Sequence, residues 1–306
     1  MIDNTPLAAS AERTAGRQCS ACSPGTVGVV LVTYQSADDL PTFLESLPAA
    51  VAPYPFEVAA VDNASSDDSV RMVRGFGAEV AANTTNVGLS AAINQAAGMT
   101  TADWLLIANP DTRLTEGSIA RLVETASSDD RIGCVGPRIR SLDGSDYPTG
   151  RRFPSVGIGI AHAVLGTVWK DNPATRAYFG RPTGGDVDWV SGSCMLFRRS
   201  AFDAIGGFDT GYFMYFEETD ACLRLHRNGW RVVFNPDVEV YHREGGSTRF
   251  APFRKVYNHH RSALRFYCRQ HHRDPWIMLT PIVAAGLAAR ASVSLLRTAI
   301  GRALSR

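Results

Sequence analysis

The chain has 306 residues, 45% hydrophobic and 20% charged, with a net charge of +1. That length builds one large domain or two small ones around a substantial core. The near-zero charge gives no bulk attraction to nucleic acid, so no nucleic-acid partner is expected. Six cysteines lie at 19, 22, 134, 194, 222 and 268, in no metal-binding or disulfide spacing. Cys19-Ser-Ala-Cys22 is a lone CxxC in a small polar tail, and reduced thiols in a cytoplasmic chain are the simpler reading. Residues 1–25 lack the apolar stretch of a secretory signal and read as a disordered tail. No window reaches the ~20 uninterrupted apolar residues of a membrane span; Trp276 to Ala289 comes nearest and stops at Arg290.

Val27 to Val32 is a short β-rich run, predicted as a buried first strand. Ser36 to Leu47 follows as a helix. Phe56 to Val61 is a second strand ending at Asp62, and Ser66 to Arg74 a second helix. Ala78 to Ala82 is a third strand. Leu89 to Ala97 is helical, with Gly98 to end it, and Trp104 to Ala108 is a fourth strand. Ser118 to Ser127 adds a helix, and Cys134 to Ile139 a strand. Strands alternating with helices predict an α/β fold with a mostly parallel sheet. From Asp143 to Gly185, Gly, Pro, Arg and aromatics dominate, as in loops that cover a site. Trp189 to Arg198 resumes as a strand. Phe202 to Phe208 and Glu218 to Arg227 read as short helices, and Trp230 to Phe234 and Val238 to Tyr241 as short strands. Phe253 to Arg273 reads as a helix rich in Arg and His, followed by a separate apolar and basic tail.

Polar residues gather where predicted strands run out. Asp62 ends the second strand; a carboxylate there accepts hydrogen bonds from a ligand N–H or closes an Asx-turn. In Asn86-Val-Gly-Leu-Ser-Ala-Ala-Ile-Asn94, Gly88 allows close backbone approach before a helix whose start favours phosphate. In Asn109-Pro-Asp111, Pro110 fixes the backbone and so the direction of Asp111. An aspartate there suits a hard divalent cation, and a plain turn is the alternative. Phe216-Glu-Glu-Thr-Asp220 sets three acids beside Phe213, Tyr215 and Phe216. An apolar setting raises a carboxyl pKa and favours general-base work, whereas a helix N-terminus favours acids in any case. His242, after an apolar run, is a second candidate metal ligand or an ordinary histidine.

In order and spacing, VTYQS, VDNASSD, NVGLSAAIN, NPD, WVSGSCMLFRR, GGFD, YFEETD and VYHREGGS resemble the inverting GT-A glycosyltransferases of family 2. The likeness runs from about Val27 to Arg249. Asn-Pro-Asp in place of Asp-x-Asp makes the chain most similar to the bacterial rhamnosyltransferases. The resemblance implies a GT-A domain over 26–250, with a Rossmann-like, mostly parallel sheet flanked by helices, and a helical extension over 251–306. It implies that Thr33, Tyr34 and Asp62 bind the nucleoside, that Gly88 and Asn94 shape its pocket, and that Asn109 lies near the sugar. Asp111 and His242 would hold Mg²⁺ or Mn²⁺ on the diphosphate. Glu218 would be the base, with Glu217 its rival and Asp220 orienting the loop. Arg151, Arg152, Trp189 and Gly192 would touch acceptor or diphosphate.

The implied substrates are dTDP-L-rhamnose and a polyprenyl-diphospho-N-acetylglucosamine, as in synthesis of the arabinogalactan linker of the cell wall. The basic and apolar C-terminal helices would then rest on the inner membrane surface; packing on the core or a homo-oligomer contact are the alternatives. Transfer of galactofuranose or N-acetylglucosamine keeps the same fold. A nucleotidyltransferase would carry a basic Gly-rich loop after the first strand, which Tyr34-Gln-Ser-Ala-Asp-Asp lacks. A non-catalytic nucleotide-sugar-binding protein would not need acids at 111, 217, 218 and 220.

Overall fold

A computed structural model describes residues 25–153, 183–243 and 252–304. The expected tail, with Cys19 and Cys22, and most of the expected covering loops fall outside those residues.

Strands β1 (Val27–Thr33), β2 (Phe56–Asp62) and β4 (Trp104–Ala108) are buried along most of their length. That is why they read as continuous apolar runs: both faces of the sheet are covered. Successive side chains feed opposite faces. Val29, Leu31 and Leu106 join the core formed with Leu40, Phe43 and Leu47 of α1 (Leu40–Val51) and Ile119 and Leu122 of α4 (Ser118–Ser127). Val30, Leu105 and Ile107 join a second core with Ala92, Ile93 and Ala96 of α3 (Leu89–Gly98).

The first half of the sheet, β3 (Glu79–Ala82)–β2–β1–β4, is parallel as expected. The second half is mixed. Strand β9 (Cys194–Arg198) enters antiparallel between β4 and β6 (Ile132–Ser141). Strand β10 (Arg231–His242) lies parallel to β6, and β5 (Thr112–Leu114) pairs antiparallel with β10 at the edge. Two-residue strands β7 (Asp146–Tyr147) and β8 (Gly185–Asp186) extend β6 and β10.

Helix α1 starts later than its apolar pattern. Ser36 to Asp39 form a turn in which Asp39 N–H donates to the Ser36 carbonyl at 3.0 Å. Helix α2 (Ser69–Gly75) is likewise shorter than expected. The helix expected over 202–208 is α5 (Arg199–Ala204), stopped by Gly206 and Gly207 at positive φ. The two expected strands after Trp230 are one, β10, whose register shifts between Asn235 and Glu239, around Pro236. Strand β5 had no legible signal, since three residues hold no period.

The remaining helices are α6 (Glu217–Arg227), α7 (Pro252–His271) and α8 (Thr280–Leu304), with a 3₁₀ turn at Pro275–Leu279. Helix α7 packs on α6 and on α8. By length and composition, Pro275–Ile300 is apolar enough to cross a membrane, with a mean hydropathy of 1.6 in a window that is 0% buried. The criterion of uninterrupted apolar residues missed it because Arg290 breaks the run.

The paired arginines of the WVSGSCMLFRR segment are structural. Arg199 donates to the carbonyl of Ala97 in the last turn of α3 at 3.1 Å and to those of Thr100 and Ala102 beyond its end at 2.6 and 3.1 Å. Arg198 donates to Ala126 at 2.7 Å and to Ile132 at 3.1 Å. Each guanidinium satisfies carbonyls that a helix end leaves unpaired. Arg199→Met strips three carbonyls of their donor and is expected to lower stability by about 2–4 kcal/mol, read as a lower urea midpoint with an unchanged m-value.

Candidate active site

A crevice of about 360 Å³ opens where β1 and β4 end, lined by Tyr34, Asn63, Asn109, Asp111, Glu217, Glu218 and His242 among others. Carboxyl ends of strands are where open α/β sheets bind ligands.

Strand β5 builds one wall. Its pairing sets Thr112 opposite His242 and Arg113 opposite Tyr241. Thr112 Oγ1 donates to the Ser193 carbonyl at 3.1 Å, and Arg243 N–H donates to the Asp111 carbonyl at 2.9 Å. Asp111 is thereby held with Oδ1 2.9 Å from His242 Nε2, both side chains about one-tenth exposed. Asn109 Nδ2 stands 3.4 Å from the same nitrogen. The Asp111–His242 separation is that of a hydrogen bond, yet Asp111 Oδ1 has no hydrogen-bond partner, nor has the other ring nitrogen, His242 Nδ1. A hard oxygen and an imidazole nitrogen set this close are donors that a divalent cation accepts. Among the described residues no group of three or more His, Cys, Asp or Glu is placed to hold a metal. The pair therefore suits an ion that completes its shell with substrate oxygens and water.

The other wall is the first turn of α6. Tyr215 and Phe216 precede it at φ 71° and 66°, the left-handed region that non-glycine residues avoid. This forced turn presents Glu217 and Glu218 to the crevice. Glu217 is 6% exposed, and Glu218 is more open. One carboxyl oxygen of each, and the Tyr215 hydroxyl, are buried with no partner. Burial raises both carboxyl pKa values. The negative charge of Glu218 raises Glu217 further, while the Arg151 guanidinium draws Glu218 down. Glu218 therefore ionises first and Glu217 keeps its proton longer, a division of the kind that separates a base from an acid. Tyr215 is pushed up to about 12 by burial and by Glu217.

The sequence matches the model of the family "Glycosyl transferase family 2" over residues 28–206. The chain is a family 2 glycosyltransferase. It is 40% identical over 259 residues to the N-acetylglucosaminyl-diphospho-decaprenol L-rhamnosyltransferase of Mycobacterium tuberculosis, an alignment spanning 79% of this chain and 84% of that one. It is 31% identical over 173 residues to the rhamnosyltransferase WbbL of Escherichia coli, covering 55% and 62%. Its fold is shared with the mannosyltransferase PcManGT of Pyrobaculum calidifontis, solved with GDP-Man and Mn²⁺ (TM-score 0.55, 17% identity, 92% of this chain and 80% of that one).

The glycosyltransferase crevice gathers Tyr34, Asn109, Asp111, Gly192, Glu217, Glu218 and His242 from the residues singled out in the sequence. Others of that set stand behind it. Asp62 is 1% exposed. Its oxygens accept from Thr33 Oγ1 at 2.7 Å, Ser65 N–H at 2.8 Å and Ser65 Oγ at 2.6 Å, which is the Asx-turn reading. Thr33 and Asp62 thus brace Asn63, which does line the crevice. The close backbone approach that Gly88 allows is that of the Phe213 loop. A Cβ there would meet the Phe213 ring and carbonyl at 2.9 Å, and Leu89 N–H donates to that carbonyl at 2.7 Å. Asn94 shapes the pocket from behind, clamping the Phe208 backbone with two bonds of 2.8 Å.

Asp220, expected to orient the loop, is fully buried and bonded to Arg224 at 2.7 Å and Arg269 at 2.9 Å, so it ties α6 to α7. Arg151 stacks over Trp189 at 4.8 Å and reaches the crevice only through its charge. Trp189 Nε1 donates to the Arg152 carbonyl, and Arg152 is exposed beside Asp188. Gly192 lies against Glu218. Sequence reasoning missed Asn86, Ser193, Arg254, Lys255 and Asn258 as crevice residues. The first sat in a segment already marked, and the last three in a helix assigned to the membrane surface.

Asp220→Ala leaves two arginines without their buried partner and is expected to cost about 3–5 kcal/mol in chemical unfolding. The glutamate pair sets a pH dependence. A carboxyl whose folded pKa is raised stabilises the fold below its ordinary value of 4.5, and that contribution is lost as pH rises through the raised value. Melting temperature should therefore fall above pH 4.5 in the wild type. Glu217→Gln should flatten that fall and melt higher than wild type at pH 8.

Proposed function

We propose that the chain transfers L-rhamnose from dTDP-L-rhamnose to a polyprenyl-diphospho-N-acetylglucosamine, with inversion, in synthesis of a cell-wall linker. The observation that carries the reading is one crevice holding the Asp111–His242 pair and the Glu217–Glu218 pair on facing walls. The likeness to the mycobacterial relative supports the choice of sugar and acceptor.

Glu218 is the base. Its carboxylate takes the proton of an acceptor hydroxyl as that oxygen attacks C1 of rhamnose. The bond from C1 to the diphosphate breaks with its electron pair, and dTDP departs from the opposite face. Glu217, still protonated, limits the negative charge beside Glu218. Asp111 and His242 are the residues that would hold Mg²⁺ or Mn²⁺. The ion would offset charge on the leaving diphosphate. Tyr34, Asn63 and Asn109 bind the nucleotide sugar. The Arg151 charge partly offsets the burial that raises the Glu218 pKa.

The acceptor carries a lipid, so the enzyme works at the inner membrane surface. Arg261 and Arg273 border a basic groove beside Arg265 and Arg269, which are paired with Asp209 and Asp220, and α8 exposes Ile282, Val293 and Leu296. Basic and apolar helices together suit anionic lipid.

Glu218→Gln should reduce turnover by about 10²–10⁴-fold with dTDP binding retained, since a positioned base typically contributes that much. Turnover equal to wild type would remove Glu218 from the chemistry. In the wild type, kcat should rise with pH across the raised Glu218 pKa, and the Glu217→Gln variant should keep that rise at the same pH, because Glu217 is neutral while Glu218 titrates.

A further inference from the structure

The crevice contains two cations that the transfer chemistry above does not use. Arg254 and Lys255 lie in the first turn of α7 and line the crevice together with Asn258, Glu217 and Glu218. Both are exposed, and among the described residues neither makes an ion pair. The Arg254 guanidinium lies over the Phe213 ring at 5.3 Å, which holds it at the rim.

Their position is unfavourable for the helix. The first turn of a helix attracts anions and disfavours cations, and this one carries no acidic residue to balance them. Cations set against the helix dipole at the rim of a crevice are expected where a ligand supplies balancing charge. The complementary ligand is a polyanion that reaches the crevice from the α7 side.

We propose that Arg254 and Lys255 form a diphosphate subsite that takes the acceptor's diphosphate. The assignment to the acceptor rests on the rhamnosyl-transfer reading above, in which Asp111 and His242 already serve the donor's diphosphate. It also rests on where α7 leads. Its far end runs into Trp276, Met278 and Ile282, which are 53%, 81% and 66% exposed. A diphosphate at the first turn of α7 lies on the same helical unit as an apolar surface suited to a prenyl chain, and a nucleotide sugar has no use for such a surface. Asn258, 9% exposed, adds an amide within the same rim.

The test uses the full chain as wild type, as Arg254→Gln/Lys255→Gln and as Arg254→Lys/Lys255→Arg. Binding of farnesyl diphosphate and of farnesol is measured by calorimetry, and binding of dTDP with Mn²⁺ in parallel. Wild type should bind farnesyl diphosphate and prefer it to farnesol. The glutamine variant should bind it about ten- to hundredfold more weakly, as expected for losing charge-assisted hydrogen bonds. The charge-conserving variant should recover most of that loss, and dTDP binding should stay within about twofold throughout. Unchanged farnesyl diphosphate binding in the glutamine variant, or a loss that falls on dTDP, overturns the proposal. A wild type that binds farnesyl diphosphate through these residues but forms no disaccharide lipid would overturn only the transfer reading.

Discussion

Three residues of edge strand decide where the metal-type ligands meet. Strand β5 is only Thr112–Leu114, yet its antiparallel register sets Thr112 opposite His242. One residue earlier is Asp111; one residue of slip would turn it away, because side chains alternate across a strand. The register is held from three sides: by the β10 ladder, by Thr112 reaching the Ser193 carbonyl, and by Arg243 N–H on the Asp111 carbonyl. Two side chains 131 positions apart in the chain thus depend on backbone pairing more than on their own contacts.

The opposite wall works by a different constraint. Tyr215 and Phe216 occupy left-handed backbone, and the glutamates that follow are buried with unpartnered oxygens. Each of these features opposes folding by itself. The fold tolerates them because the same helix is pinned one turn later by Asp220, whose carboxylate bridges Arg224 and Arg269. That bridge also fixes α7 against α6. Helices α6 and α7 are therefore one mechanical unit, and anything that displaces α7 acts on Glu217 and Glu218.

Much of this was legible in the sequence. Apolar runs such as Val27–Val32 and Trp104–Ala108 found the central strands, because burial on both faces leaves a strong signal. Strand ends and aromatic flanks single out the acids at 111, 217 and 218 and the histidine at 242, and the structure sets them around one crevice. What failed did so for physical reasons. Asp62 and Thr33 satisfy each other, and a sequence does not show whether a carboxylate faces a ligand or its neighbour. Gly88 was read as allowing close backbone approach, but the sequence does not show that the segment approaching is Phe213, more than a hundred positions away. Arg254 and Lys255 were grouped with the lipid-facing cations of α7, because periodicity tells which residues share a face and not what that face meets.

The most direct test of the account is transfer from dTDP-L-rhamnose to a short-chain polyprenyl-diphospho-N-acetylglucosamine, followed with Mg²⁺ or Mn²⁺ and with EDTA, with the product's anomeric configuration read by NMR. The account predicts a disaccharide lipid formed only with the cation, its rhamnose inverted relative to the donor. A retained configuration, or equal rates in EDTA, would contradict the pairing of Glu218 with an Asp111–His242 metal site on which the account stands.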